Sequence, residues 1–273
     1  MLRPAPSAAR GILRRQFDTS PMHHGRYLPD AALAAYVEHY WCVSWDLRGQ
    51  PPRLQETLPH PNVHLVADAA GSGIFGVHTR RFATELAGQG RVFGIKFRPG
   101  GFRPFLRGPV ASLANRSTPI AAVFGADGEA YQHDVIACAD VEQCVAFAAQ
   151  LLAAHLPAPD PTVERVAGIV ARVVADRRIN TAEELAQNSG LGLRALQRLF
   201  NDYVGASPKW VINRYRLHEA IERLAAGTTV DWADLALALG YYDQAHFNRD
   251  FRKLVGRSPG EFCRDEQVGE GKK

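Results

Sequence analysis

The 273 residues contain no run of eighteen apolar positions, so no segment reads as a membrane-spanning helix. Cysteine is scarce and scattered: Cys42, Cys138, Cys144 and Cys263 form no C-x-x-C pair. That excludes a disulfide framework, which needs dense cysteine in a small secreted chain, and a reducing cytoplasm is expected. Cys138 and Cys144 read as small buried hydrophobes. There is no Gly-x-Ser-x-Gly nucleophile turn and no Gly-rich phosphate loop ending in Gly-Lys, so two large enzyme classes have no signature here. Residues 1–25 are rich in Arg but lack the apolar core of a secretory signal, and are expected to form a disordered leader.

A strong charge imbalance is also missing where it would be most telling. The whole chain carries +4, but residues 160–273 hold 17 Lys and Arg against 16 Asp and Glu. Any case for a polyanionic partner must therefore rest on where individual arginines point.

What the chain does have is a change of texture in its middle. The Pro-rich stretch Leu156-Pro-Ala-Pro-Asp-Pro161 separates a Gly-, Pro- and aromatic-rich first part from a second part with helical periodicity almost throughout. The expected organisation is a leader (1–25), a regulatory domain (26–155), a linker (156–161), an all-helical domain (162–264) and a disordered tail (265–273). Strands are expected at 40–45, 62–67, 73–78 and 92–97, framed by helices at 29–40 and 141–155. The fold class is α+β: a mostly β, sensor-like first domain, then seven helices, the last one short.

Helix signals in the second part are explicit. Asp160-Pro161 supplies an N-cap followed by Pro at the first helical position, and Val163, Val166, Ile169, Val170 and Val173 repeat on one face. Thr181 and Glu184 form a capping-box pair, and Ser207-Pro208 and Ser258-Pro259 repeat the cap-then-proline device. Gly190, Gly227 and Gly240 fall where helices should stop.

Within this part the same unit occurs twice, from Leu185 to Trp210 and from Leu235 to Phe262. Leu185, Ala186 and Gly190 match Leu235, Ala236 and Gly240 at an offset of 50. Arg198, Phe200, Gly205 and Pro208 match Arg249, Phe251, Gly256 and Pro259 at an offset of 51, so the second copy has one extra residue in its turn. Each copy has the anatomy of a helix-turn-helix: a short helix, a Gly turn, and a second helix with a core stripe. Leu196, Leu199, Phe200 and Tyr203 form that stripe in the first copy, and Phe247, Phe251 and Leu254 in the second. The opposite faces carry Arg194, Gln197, Arg198 and Asn201 in the first copy, and Gln244, His246, Asn248 and Arg249 in the second. Such donors and amides match guanine and adenine edges, and Arg252 and Lys253 stand ready for phosphates. Taken singly, each of these reads more readily as part of a solvated helix face than as a DNA contact. Matched outward arginines, Arg198 and Arg249, on two equivalent helices favour DNA. Asp250 breaks the pattern, standing where the first copy has Leu199.

The motifs Leu196-Gln-Arg-Leu-Phe200, Gly240-Tyr-Tyr-Asp-Gln-Ala-His-Phe247 and Phe251-Arg-Lys-Leu-Val-Gly-Arg-Ser-Pro259 closely resemble the AraC/XylS family of bacterial transcription regulators, over about residues 163–264. The resemblance implies two helix-turn-helix subdomains joined by a long helix and a function in sequence-specific binding of double-stranded promoter or operator DNA, with base contacts from the side chains just named. Further partners expected are RNA polymerase, a small-molecule effector and a second copy of the chain, in the cytoplasm at the nucleoid; no membrane, no cofactor and no enzymatic activity are expected. In the first part, Gly94-Ile-Lys-Phe-Arg-Pro-Gly-Gly101 with Phe105-Leu106, and Leu58-Pro-His-Pro-Asn-Val-His64, are similar to an uncharacterised N-terminal domain of some members.

An alternative stays open: an enzyme or metal sensor fused to a DNA-binding tail. On a strand, His60, Asn62 and His64 would share a face, and His78 lies on another expected strand, but nothing completes a recognisable ligand set, so no metal site is assigned. The turn at Arg98-Pro-Gly-Gly101 offers amides and a cation to a small anion, or is purely structural.

Overall fold

The computed structural model describes residues 3–5, 22–79, 82–225 and 231–270. The expected leader lies for the most part outside the described residues, as do residues 271–273 of the expected tail.

The first part is built on antiparallel strands β1 (Met22–Tyr27), β2 (Val37–Leu47), β3 (Arg53–Thr57), β4 (His64–Asp68), β5 (Gly73–Phe75), β6 (Phe82–Leu86), β7 (Gly88–Phe97) and β8 (Ser117–Thr118). Six of them form one sheet in the order β1-β2-β7-β4-β5-β8, and β3 pairs with β6 in a separate ladder. Two helices follow, α1 (Ala121–Ala137) and α2 (Val141–Ala154). Alternation on the strands sends Tyr40, Cys42, Leu65, Phe93, Ile95 and Phe97 to one face, where they meet Phe124, Tyr131, Val135, Cys144, Ala148 and Leu151 of the helices in a single apolar cluster. The other face carries Trp41 and Trp45, each laid over a cross-strand glycine, Gly94 and Gly90, where a Cβ would collide with the indole.

Three of the four expected strands lie at β2, β4 and β7; the fourth is cut short, since β5 stops at Phe75. The expected helix at 29–40 does not form. Residues 31–36 make a turn in which the Leu33 carbonyl accepts from Tyr36 N and Val37 N. From Val37 onward the chain is drawn into the middle of the sheet by its partner β7, a long-range pairing that overrides local helical preference. His60, Asn62 and His64 do not share a strand face, because β4 begins only at His64. Asn62 instead ties the loop to the sheet, its Nδ2 donating to the Phe97 carbonyl (2.6 Å) and to Glu38 Oε2 (3.1 Å). His64 packs edge-on against Trp41 and His78 lies between Phe75 and Phe82. Burial drives His64 down to a pKa of about 3 and His39 to about 4, so both rings are neutral at physiological pH. Among the described residues no cluster of three His, Cys, Asp or Glu side chains could hold a metal ion.

The second part comprises α3 (Pro161–Ala175), α4 (Ala182–Asn188), α5 (Leu193–Tyr203), α6 (Pro208–Ala225), α7 (Trp232–Ala238), α8 (Gln244–Val255) and α9 (Pro259–Glu270). Among the described residues these are the seven helices expected, although the last, α9, is not short: it runs for 12 residues and enters the stretch read as a tail. No helix among the described residues is long and apolar enough to cross a membrane. The caps follow the sequence: Asp160 accepts from Thr162 N, and Thr181 and Glu184 complete a capping box.

Two cores result. The first gathers Val166, Val170, Val173, Leu185, Leu196 and Phe200 with Val211 and Ile212 from the start of α6. The second gathers Leu235, Phe247, Phe251 and Phe262 with Leu217, Ile221 and Leu224 from the rest of α6. One helix of 18 residues, about 27 Å long at 1.5 Å per residue, thus belongs to both units. Arg216 fixes its middle. This side chain is 2% exposed, and its guanidinium donates to the carbonyls of Asp176 and Ile179 (both 2.9 Å) and Val173 (3.4 Å) at the end of α3. Removing it takes a charged donor away from each of those carbonyls, of which Asp176 keeps only a 3.3 Å bond from Ile179 N, so Arg216→Met is expected to destabilise the chain by about 3 kcal/mol. A urea midpoint unmoved from that of the parent would refute this.

Candidate nucleic-acid interface

The two units are built alike, down to individual backbone bonds. Leu191 N and Tyr241 N each donate to a carbonyl five residues back, Ala186 and Ala236, both at 2.9 Å. Gly190 and Gly240 turn the chain with φ of 63° and 79°, and Gly205 and Gly256 end the second helices at φ 84° in both units. At each of these positions a side chain would be strained, which is why glycine recurs.

On α5, Leu196 and Phe200 are fully buried while Arg194, Gln197, Arg198 and Asn201 are exposed. On α8, Phe247 and Phe251 are fully buried and Leu254 nearly so, while Gln244, Arg249, Arg252 and Lys253 are exposed and His246 and Asn248 half-buried. Each second helix therefore anchors one stripe in its core and presents long polar side chains on the other. The outlier Asp250 faces His246 on the same helix, its Oδ2 3.7 Å from His246 Nε2. His246 also stands edge-on to Tyr241, ring centroids 5.2 Å apart. Arg252 reaches Glu261 of α9 at 3.8 Å and remains 65% exposed.

Two stripe residues of α5 behave differently from expectation. Leu199 and Tyr203 are only half-buried, because that flank faces the first part of the chain across a seam. Across it Arg103 Nε donates to Asp202 Oδ1 (2.8 Å) and its guanidinium lies over the Tyr203 ring, while Tyr203 Oη donates to Asp160 Oδ2 (2.6 Å) at the cap of α3. Val110 packs against Gly205, and Gly100 of the Arg98–Gly101 turn lies against Val166. A second seam reaches the other unit. Leu58, with no exposed surface, sits in the second unit's core, the Pro59 carbonyl accepts from Arg214 Nε on α6, and His60 stacks on His218, centroids 4.4 Å apart. Burial pulls the Arg214 guanidinium down to a pKa of about 9. None of these seams is visible in local sequence pattern, since each joins residues far apart in the chain.

The chain has recognisable relatives. Residues 185–265 match a family model described as a helix-turn-helix domain, and residues 25–119 match one described as a domain of unknown function (DUF6597). The transcriptional activator NphR of Rhodococcus sp is 33% identical over 96 residues, which is 35% of this chain and 28% of NphR. The HTH-type transcriptional activator RhaS of Pectobacterium carotovorum is 36% identical over 75 residues, 28% of this chain and 26% of RhaS. The matches thus span less than a third of either relative. Among solved structures, a transcriptional regulator from Chromobacterium violaceum with an AraC-type DNA-binding domain is 23% identical at a TM-score of 0.35, covering 39% of this chain and 95% of that one. Together with the doubled unit, the family matches identify residues 185–265 as a helix-turn-helix domain, preceded by residues 25–119, which match a domain of unknown function.

Proposed function

We propose that the chain is a sequence-specific DNA-binding transcription regulator, with α5 and α8 entering adjacent major grooves and the N-terminal domain supplying the input. The observation that carries this reading is the doubled arrangement: two equivalent helices, each with a buried stripe on one side and an exposed arginine, Arg198 or Arg249, at the matched place on the other. The 27 Å connector supports it, since successive major-groove faces on one side of B-DNA lie about 34 Å apart and a slight bend makes up the difference. Arg194, Gln197, Arg198 and Asn201 read bases in one groove, Gln244, His246, Asn248 and Arg249 in the next, and Arg252 and Lys253 meet phosphates.

In this proposal residues 26–155 form the regulatory domain, 156–161 the linker and 162–264 the reading head. A small-molecule effector bound by the first part would act through the seams at Asp202 and at Leu58–His60, because these touch both units. The site of action is the nucleoid in the cytoplasm, with RNA polymerase and a second copy of the chain as further partners, and the chain performs no reaction of its own. In vitro selection of duplexes with the full chain, followed by footprinting, tests this. The expected result is one recovered site protected in two segments about a helical turn apart. Recovery of no preferred sequence would end the proposal.

A further inference from the structure

The extra residue of the second unit can be named. Gly190 and Leu191 align with Gly240 and Tyr241 by their equivalent turn conformation and backbone bonds, and the N-caps of the two second helices are Gly192 and Asp243. The residue left over is Tyr242. It is 88% exposed, the most exposed large hydrophobic side chain among the described residues. Its neighbour Tyr241 goes the other way, 6% exposed and packed edge-on against Phe247. This inserted tyrosine contributes nothing to the core and stands at the mouth of a reading helix, where its ring and hydroxyl are open to a partner outside the chain.

The two helix starts differ in a way that says what that partner is. No side chain caps α5, whose first-turn amides are free to meet a phosphate oxygen of the DNA backbone. At α8 the same place is filled by the Asp243 carboxylate, which accepts from His246 N at 2.7 Å. A carboxylate there both occupies an amide and repels a phosphate, so the second unit lacks the anchor that the first has. A neutral donor one residue earlier, on a long rigid side chain, replaces it without adding charge. We propose that Tyr242 is a DNA contact unique to the second unit, its hydroxyl donating to a phosphate oxygen at the edge of the groove that α8 enters. This rests on the reading of α8 as a DNA-reading helix.

The test uses the full chain and the best duplex recovered by selection with the parent. Tyr242→Phe keeps the ring and loses only the hydroxyl; Tyr242→Ala loses both. Both variants should bind about tenfold more weakly, with base preferences unchanged, because a phosphate contact carries no sequence information. Ethylation of one phosphate beside the second unit's segment should weaken the parent and leave Tyr242→Phe unaffected. Parent-like binding by Tyr242→Phe overturns the proposal, as does an altered preference at a single base in Tyr242→Ala, which would make the ring a base reader. A parent that selects no duplex removes both the proposal and the reading beneath it, whereas a selected duplex indifferent to both variants removes the proposal alone. Because the side chain is exposed, the melting temperatures of all three proteins should coincide.

Discussion

A chain carrying both Arg198→Ala and Arg249→Ala should lose about 2–6 kcal/mol of specific binding, the sum of about 1–3 kcal/mol for each bidentate contact to a base edge. The contributions should add, because the two arginines stand in separate units with separate cores. Each single variant should relax the preference at one position of the site and leave the rest of the sequence preference intact. Arg252→Ala and Lys253→Ala should behave differently: a uniform weakening across sequences and a shallower dependence of affinity on salt. Both arginines removed are exposed, so folding should be untouched. Footprints of the double variant indistinguishable from those of the parent would show that the outward faces of α5 and α8 do not meet bases.

The second large effect is expected from the connector. Insertion of Ala-Ala between Arg216 and Leu217 divides α6 where its allegiance changes, since Arg216 is bound to the end of α3 and Leu217 belongs to the second core. Two extra helical residues turn the second unit by about 200° and move it by about 3 Å. Its reading helix then faces away from the groove it should enter. Affinity for the full site should fall to that for a duplex carrying only one half, a loss of about a hundredfold or more as the two units cease to bind as one. Binding to the half read by α5, whose core lies wholly before the insertion, should persist. Undiminished affinity for the full site would mean that the units find their grooves independently and that the rigidity of α6 is irrelevant to recognition.

The helical half of this molecule was largely legible in its sequence, because the forces that shape it are local. A capping box such as Thr181–Glu184 and a Val stripe at helical spacing declare themselves within a few residues, and the doubled unit exposed its own boundaries. The first half resisted for the opposite reason. Residues 29–40 are decided by the pairing of β2 with β7, more than fifty positions away in the chain. Helix α1 was missed because Gly125, at φ 60°, interrupts it and Gly128 lies against Phe124 and Ile120, which blurs the apolar period. On the two second helices, the exposure of Arg194, Gln197, Arg198, Asn201, Gln244, Arg249, Arg252 and Lys253 was legible from spacing, whereas His246 and Asn248 are half-buried, and Leu199 and Tyr203 were misjudged because the seam they face is made by Val110 and Arg103 of the distant first part. Tyr242 did leave a trace, the step from an offset of 50 to 51 between the copies, but only the matched turns show which residue causes it.

Leu58 has a consequence for anyone who would cut this chain in two. It comes from the N-terminal half yet is buried without exposed surface in the core of the second helix-turn-helix unit. A fragment beginning at the proline-rich break would leave a leucine-sized void in that core, the kind of defect that costs about 2–5 kcal/mol. The truncated reading head should therefore melt in two steps, its first module outlasting the hollowed second, and one-half of the binding site should go unprotected while the other is held.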